Sequence, residues 1–212
     1  MKKNRISKNW INKQRRDIYV RRSKVDGYRS RSAYKLIEID EKFKIFKNGI
    51  SVIDLGSAPG SWSQYLSKKI KNSKIVSIDL REMEAIDNTI QVLGDFTEKK
   101  NQSKINDFFK SNVDVVLSDM AASASGHRQT DHLKIMALAE AGAYFAHDVL
   151  TPGGTYCAKV LQGGAEADLL KMLKKDFKVV RHVKPEASRS DSAEMYVLAT
   201  GFRGREEDGA DE

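Results

Sequence analysis

The sequence predicts one α/β domain built on a mainly parallel sheet of seven strands with helices on both faces. Short β-branched runs alternate with segments of helical periodicity over most of the chain, as a parallel sheet with helical crossovers requires. A glycine loop, Gly56-Ser57-Ala58-Pro59-Gly60, follows the first of those runs and opens a helix. Such a loop stands where open parallel sheets bind ligands. At 212 residues and 40% hydrophobic content, the chain has enough apolar side chains for one full core.

Residues 1–27 lack sustained apolar periodicity, with Trp10, Ile11, Ile18, Tyr19 and Val20 set among Lys and Arg. They predict a basic, partly flexible arm whose aromatic side chains either stack on nucleotides or dock on the domain. The domain itself is expected over 28–202. Residues 31–46 read as a helix with Tyr34, Ile37, Phe43 and Phe46 on its apolar face, Ser30 or Ser32 as its cap, and Asn48-Gly49 beyond its end. Residues 51–55 form a strand, 61–70 a helix, 74–80 a second strand and 92–93 a short third. Residues 113–119 are the fourth strand. A long helix over 131–150 is stopped by Pro152-Gly153-Gly154, and 155–161 are the fifth strand. A helix over 166–176, a strand over 177–183 and a last strand over 193–200 complete the domain. The charges at 107–110 and 171–175 read as solvated helix faces. Residues 203–212, mostly acidic with glycine, read as a disordered tail. No internal repeat or domain-breaking linker interrupts the chain.

Charge is concentrated at one end. The net charge is +8, and residues 1–31 hold 12 Lys and Arg against 2 Asp, so the remainder is close to neutral. A cationic arm on a neutral domain fits a polyanionic partner; the plainer alternative is a solubilising tail. A lone cysteine, Cys157, excludes an internal disulfide and fits a reducing, cytoplasmic compartment. No apolar run approaches the roughly 18 to 20 residues that span a bilayer, and the basic N-terminus lacks the apolar core of a secretory signal.

Gly56 and Gly60 let the backbone turn sharply and approach a ligand. Asp79 closes the second strand about 20 residues later, placed to accept both ribose hydroxyls of an adenosine. A nicotinamide dinucleotide favours G-x-G-x-x-G with its pyrophosphate on a helix N-terminus. Here Pro59 removes an N–H from the loop, which suits an adenosyl ligand without phosphates, S-adenosylmethionine. In Gly94-Asp95-Phe96, after the third strand, Asp95 is expected at the adenine amino group and Phe96 as apolar lining. Each part has a plainer reading as a turn or a helix cap; the ordered set points to the cofactor.

The stretch DLGSAPGSWSQYL, SDM at 118–120, LTPGGTYCAKVLQG at 150–163 and SRSDSAEMYVLATGF at 188–202 resemble the FtsJ (RlmE) ribosomal RNA 2′-O-methyltransferase family. The resemblance runs from about residue 27 to 202. It implies a Rossmann-like class I methyltransferase fold. It also implies transfer of a methyl group from S-adenosylmethionine to the ribose 2′-hydroxyl of a uridine in 23S ribosomal RNA, within the assembled 50S subunit. Matched motif by motif, the family's Lys-Asp-Lys-Glu tetrad falls on Lys35, Asp119, Lys159 and Glu194. Its cofactor contacts fall on Gly60, Trp62, Asp79, Asp95 and Asp119. The chain departs from the family at Ala122-Ser123-Ala124, where Pro-Asn-x is usual, and at Ser61, where glycine is common.

A ribose 2′-hydroxyl is almost wholly protonated at neutral pH. A site that methylates it must remove or polarise that proton and align oxygen, methyl carbon and sulfur. Lys159 lies in an apolar strand, where burial disfavours its charge and a neighbouring Lys35 pushes the same way. Two readings stand open: a neutral lysine acting as base, or a charged lysine stabilising the developing alkoxide. Asp119 and Glu194 oppose the first if ionised, and are expected to orient the lysines. Singly, these residues have plainer roles as a strand-end cap, a snorkelling lysine or a surface lysine. Lys24, Arg29 and Arg31 are expected to guide a phosphate backbone toward Lys35. His127, His132, His147 and His182 show no ligand spacing with Cys157, so no metal is expected. RNA is the expected partner because only RNA offers a 2′-hydroxyl. The rivals are a tRNA ribose methyltransferase, a non-catalytic RNA-binding assembly factor and a nicotinamide oxidoreductase. A monomer is the default expectation.

Overall fold

The computed structural model describes residues 17–109, 111–122, 125–163 and 167–205; most of the basic arm and most of the acidic tail lie outside them. The first element is α1 (Ile18–Val25), capped by Asp17, whose carboxylate accepts the N–H groups of Tyr19 and Val20. The end of the arm is thus a helix. Tyr19 reaches Glu38 on the next helix with its hydroxyl, 3.0 Å from Oε1, so this aromatic side chain docks on the domain.

That helix is α2 (Ala33–Phe43). Ser32 stands at its cap position, but its hydroxyl bonds Ser30 instead. The N–H groups of Ala33, Tyr34 and Lys35 bond the carbonyls three residues back, tightening the first turn. The alternating units follow: β1 (Ser51–Leu55), α3 (Ser61–Lys69), β2 (Lys74–Asp79), β3 (Thr89–Leu93), α4 (Lys99–Phe108), β4 (Val113–Ser118), α5 (Arg128–Val149), β5 (Leu150–Leu161), α6 (Ala167–Asp176), β6 (Phe177–Val183) and β7 (Glu194–Phe202). Sequence pattern alone assigned no helix to α4 beyond the charged face at 107–110. Ile105 is its one fully buried apolar side chain, which is too little for a visible period.

The strands form one sheet in the order β3-β2-β1-β4-β5-β7-β6. β1 pairs in parallel with β2 and β4, and β4 with β5, while β7 runs antiparallel to β5 and β6. Pairing in β5 jumps from Val113↔Leu150 to Val115↔Thr155. The Pro152-Gly153-Gly154 segment is looped out there, so the missing N–H of Pro152 costs no ladder bond. One core lies between the sheet and α4, α5 and α6, with Ile105, Met136 and Leu173 among its buried side chains. The other lies against α2 and α3, with Leu36, Trp62 and Leu66. Both faces are covered, as the near-continuous apolar strands require. The strand order reverses between β1 and β4, and a crevice opens at their carboxyl ends.

Candidate active site

A cavity of about 960 Å³ fills that crevice, with Gly56, Ala58, Asp79, Asp95, Asp119 and Lys159 on its wall. Gly56, at φ +71°, turns the chain off β1. A Cβ there would stand 2.8 Å from the Met120 Cα, so the loops after β1 and β4 meet at a bare backbone. The N–H groups of Gly56 and Ser57 donate to the Ile78 carbonyl, and that of Ala58 to Asp79 Oδ2 at 2.9 Å. The loop's leading donors are therefore spent on β2 instead of forming a phosphate cradle.

Asp79 ends β2 on the cavity wall. Each of its oxygens accepts one N–H, from Ala58 and from Arg81, which leaves lone pairs on both. Asp95 Oδ1 accepts the N–H and hydroxyl of Thr97 at 2.8 and 2.7 Å. Those bonds hold its carboxyl below the usual range. Phe96 packs edge-on against Phe145 and also lines the cavity. Gly60 and Trp62 are not among the lining residues. Gly60 makes the second sharp turn, at φ +104°. Trp62 is buried behind the loop, with Nε1 donating to the Ser32 carbonyl at 2.9 Å and its ring 5.7 Å from that of Tyr196.

The four residues Lys35, Asp119, Lys159 and Glu194 converge from α2, the end of β4, β5 and the start of β7. Lys159 Nζ lies 2.8 Å from Asp119 Oδ1 and donates to the Asp119 carbonyl at 3.0 Å. Glu194 bridges the lysines, with Oε1 2.6 Å from Lys35 Nζ and Oε2 3.9 Å from Lys159 Nζ. The pleat puts Lys159 on the α2–α3 side of the sheet with Cys157, opposite Tyr156 and Val160. In the antiparallel register Tyr196 stands directly beside Lys159. Its hydroxyl donates to Asp119 Oδ1 at 2.7 Å, and the Ser188 hydroxyl to Glu194 Oε1 at 2.9 Å. Sequence reasoning missed both. The two-residue step from Glu194 to Tyr196 places them on one strand face and was the available signal.

Of the two readings open for Lys159, the site's electrostatics favour the charged one. Burial is the largest influence on Lys159 and pushes it down. The charges of Asp119 and Glu194, with the Asp119 hydrogen bond, outweigh it, so the amine sits above its ordinary range. Burial likewise pushes Asp119 up, but Lys159, Lys35 and the Tyr196 hydroxyl together hold it below the usual carboxylate range. Glu194 stands between the two lysines and Asp119 pairs with Lys159, so each lysine has a carboxylate partner.

Arg29 and Arg31 also differ from expectation. Arg29 donates to three backbone carbonyls, and Arg31 to the Asp17 carboxylate and the Ala187 carbonyl. Both are half-buried and spend guanidinium N–H groups on the protein itself, whereas Lys24 is exposed. Among the described residues no cluster of His, Cys, Asp and Glu could hold a metal ion, and no helix is long and apolar enough to cross a membrane.

Residues 28–202 match the model of the FtsJ-like methyltransferase family. The chain is 56% identical over 203 residues to the ribosomal RNA large subunit methyltransferase E of Pelagibacter ubique, covering 96% of this chain and all of that one. It is 52% identical over 202 residues to the protein of the same name from Bradyrhizobium diazoefficiens, covering 93% of this chain and 89% of the relative. A crystal structure of a ribosomal RNA methyltransferase from Plasmodium falciparum superposes with a TM-score of 0.74 at 33% identity, over 84% of this chain and all of that one. With a family model matching 28–202 and relatives at 52–56% identity, the chain belongs to the FtsJ-like methyltransferase family.

Proposed function

We propose that this chain transfers a methyl group from S-adenosylmethionine to the ribose 2′-hydroxyl of a uridine in 23S ribosomal RNA, on the assembled 50S subunit in the cytoplasm. The observation that carries the reading is the convergence of Lys35, Asp119, Lys159 and Glu194, of which Asp119 and Lys159 reach the wall of the cavity that also carries Gly56, Asp79 and Asp95 while Lys35 and Glu194 stand behind them. The names of the Pelagibacter and Bradyrhizobium relatives support ribosomal RNA of the large subunit as substrate; the uridine ribose and the assembled subunit rest on the family resemblance.

The residues present fit the cofactor. Asp79 has free lone pairs for two ribose hydroxyls, Asp95 and Phe96 line the same cavity and would hold the adenine, and the loop that spends its N–H groups on β2 suits a ligand without phosphates. S-adenosylmethionine supplies a methyl group on a sulfonium, already a good leaving group. The protein's task is to hold the hydroxyl oxygen in line and dispose of its proton. Lys159 carries its proton, so it acts by donating a hydrogen bond to the oxygen and stabilising charge there. Asp119, fixed by Tyr196, aims Lys159. Lys35 and Ser188 fix Glu194 through Oε1. Glu194 Oε2 is the proton acceptor as the oxygen–carbon bond forms and the hydroxyl becomes strongly acidic.

Labelled S-adenosylmethionine with purified 50S subunits, followed by mapping of the modified nucleotide, tests the substrate. Label on one 23S uridine ribose is the expected outcome. Label appearing instead on transfer RNA would replace the substrate while keeping the chemistry. Lys159→Ala is expected to lower turnover by at least about 10²-fold while S-adenosylhomocysteine binding stays within a few-fold. Wild-type turnover by that variant would remove Lys159 from the mechanism.

A further inference from the structure

We infer that Arg29 is a positioning residue that ties the methyl-donor site to the helix turn bearing Lys35, so that donor binding fixes that lysine; this rests on the donor reading proposed above. Arg29 lies in the segment that joins α1 to α2. Its Nη1 donates to the carbonyls of Pro59 at 3.0 Å and Glu84 at 2.9 Å, and its Nη2 to that of Ala85 at 2.9 Å. Those carbonyls belong to the two loops that follow β1 and β2 and flank the cavity. Gly60 leaves room for the guanidinium, since a Cβ there would stand 2.8 Å from Nη1. A guanidinium spreads its donors over a rigid planar fork, so its two terminal nitrogens reach carbonyls on both loops at once.

The same segment is fastened to α3 as well. The Arg29 N–H donates to Gln64 Oε1 at 3.1 Å, and Gln64 Nε2 donates to the Gly27 carbonyl at 2.9 Å. The Ser30 hydroxyl lies 2.8 Å from those of Ser32 and Ser61. Ser61 is one of the two departures from the family pattern, and here its side chain completes the link. Ser30, Ser32, Ala58 and Pro59 all line the cavity, and Lys35 follows within the first turn of α2. A ligand that orders the two loops orders the carbonyls that Arg29 holds. The cost of ordering residues 27–36 is then met in the same event. Coupling of this kind is reciprocal, so loosening Arg29 weakens donor binding.

Hydrogen exchange read by mass spectrometry, with and without S-adenosylhomocysteine, tests the coupling, and calorimetry gives the affinity. In the wild type the ligand is expected to slow exchange in residues 56–62 and also in 27–36. In Arg29→Ala, protection of 56–62 persists, protection of 27–36 is lost, and the Kd rises about tenfold. Arg29→Lys keeps the charge but replaces the two-nitrogen fork by a single compact ammonium on a shorter reach, and is expected to behave like the alanine variant. Gln64 and Ser61 still hold the segment, so unliganded Tm is expected to change little. If Arg29→Ala fails to fold, Arg29→Lys carries the comparison alone. Undiminished protection of 27–36 in a folded variant overturns the inference and leaves the donor reading intact. Absence of S-adenosylhomocysteine binding to the wild type ends both.

Discussion

Asp54 is fully buried on β1, with Oδ2 accepting the Ser63 hydroxyl at 2.6 Å and Oδ1 without a partner among the described residues. Burial pushes its carboxyl up to about 7, only partly opposed by the Ser63 bond. The folded protein therefore holds this proton over a range, from about pH 4 to 7, in which the unfolded chain releases it. Its contribution to stability is complete below pH 4, falls as pH rises through that window, and is flat above it. The change is on the order of a few kcal/mol. Asp54→Asn is expected to abolish this part of the pH dependence; identical urea midpoints against pH in both proteins would show that the folded carboxylate is ionised. Lys159 makes the opposite case, a buried charge that is kept because carboxylates surround it. With no lysine to deprotonate, the methylation rate is expected to stay level between pH 7 and 9. A rise of tenfold per unit across that range would restore Lys159 as the base. Tyr196→Phe removes the hydroxyl that fixes Asp119 and is expected to cost about 1 kcal/mol in the transition state, roughly fivefold in kcat, with binding of S-adenosylhomocysteine unchanged.

At the scale of elements, α1 is the test of how an arm becomes part of a domain. Asp17 caps α1 and also receives the Arg31 guanidinium, with Arg189 Nε 3.8 Å away. Glu38 on α2 accepts the Tyr19 hydroxyl at one oxygen and the Ala187 N–H, 3.0 Å away, at the other. α1, α2 and the turn before β7 are thereby locked around the strand that carries Glu194. Asp17→Ala is expected to cost about 1 to 2 kcal/mol from the cap alone and to open α1 locally. Faster trypsin cleavage within 17–27, with a Tm lowered by only a few degrees, is the expected readout. Cleavage at the wild-type rate would show that α1 is held by packing alone.

At the scale of the whole molecule, charge and site are arranged separately. Residues 1–16, outside those described, carry seven Lys and Arg and no acid. Arg29 and Arg31 are turned to internal work, so the phosphate contacts are expected to come from this stretch. Deleting it is expected to weaken binding to a ribosomal RNA fragment and to flatten the dependence of log K on log salt, by about 0.7 to 0.9 for each lost phosphate contact. A slope equal to that of the full chain would show that the arm touches no phosphate.

The alternation of apolar runs, the glycine loop and the helix breakers were enough to place the strands and most helices within a few residues, because each rests on a local period or a local backbone demand. The tetrad was legible only as four matched motif positions, since nothing local distinguishes Lys35 from other helix lysines or Asp119 from a strand-end cap. Tertiary structure decided what those residues are to one another. It gave each lysine a carboxylate partner and so decided between the two readings of Lys159, bonded Arg29 and Arg31 to the protein's own carbonyls and carboxylate, and set Tyr196 and Ser188 behind the carboxylates. Secondary structure follows from neighbours in sequence. The charge state of a buried group and the partner of a guanidinium follow from neighbours in space, which strand order and register alone bring together.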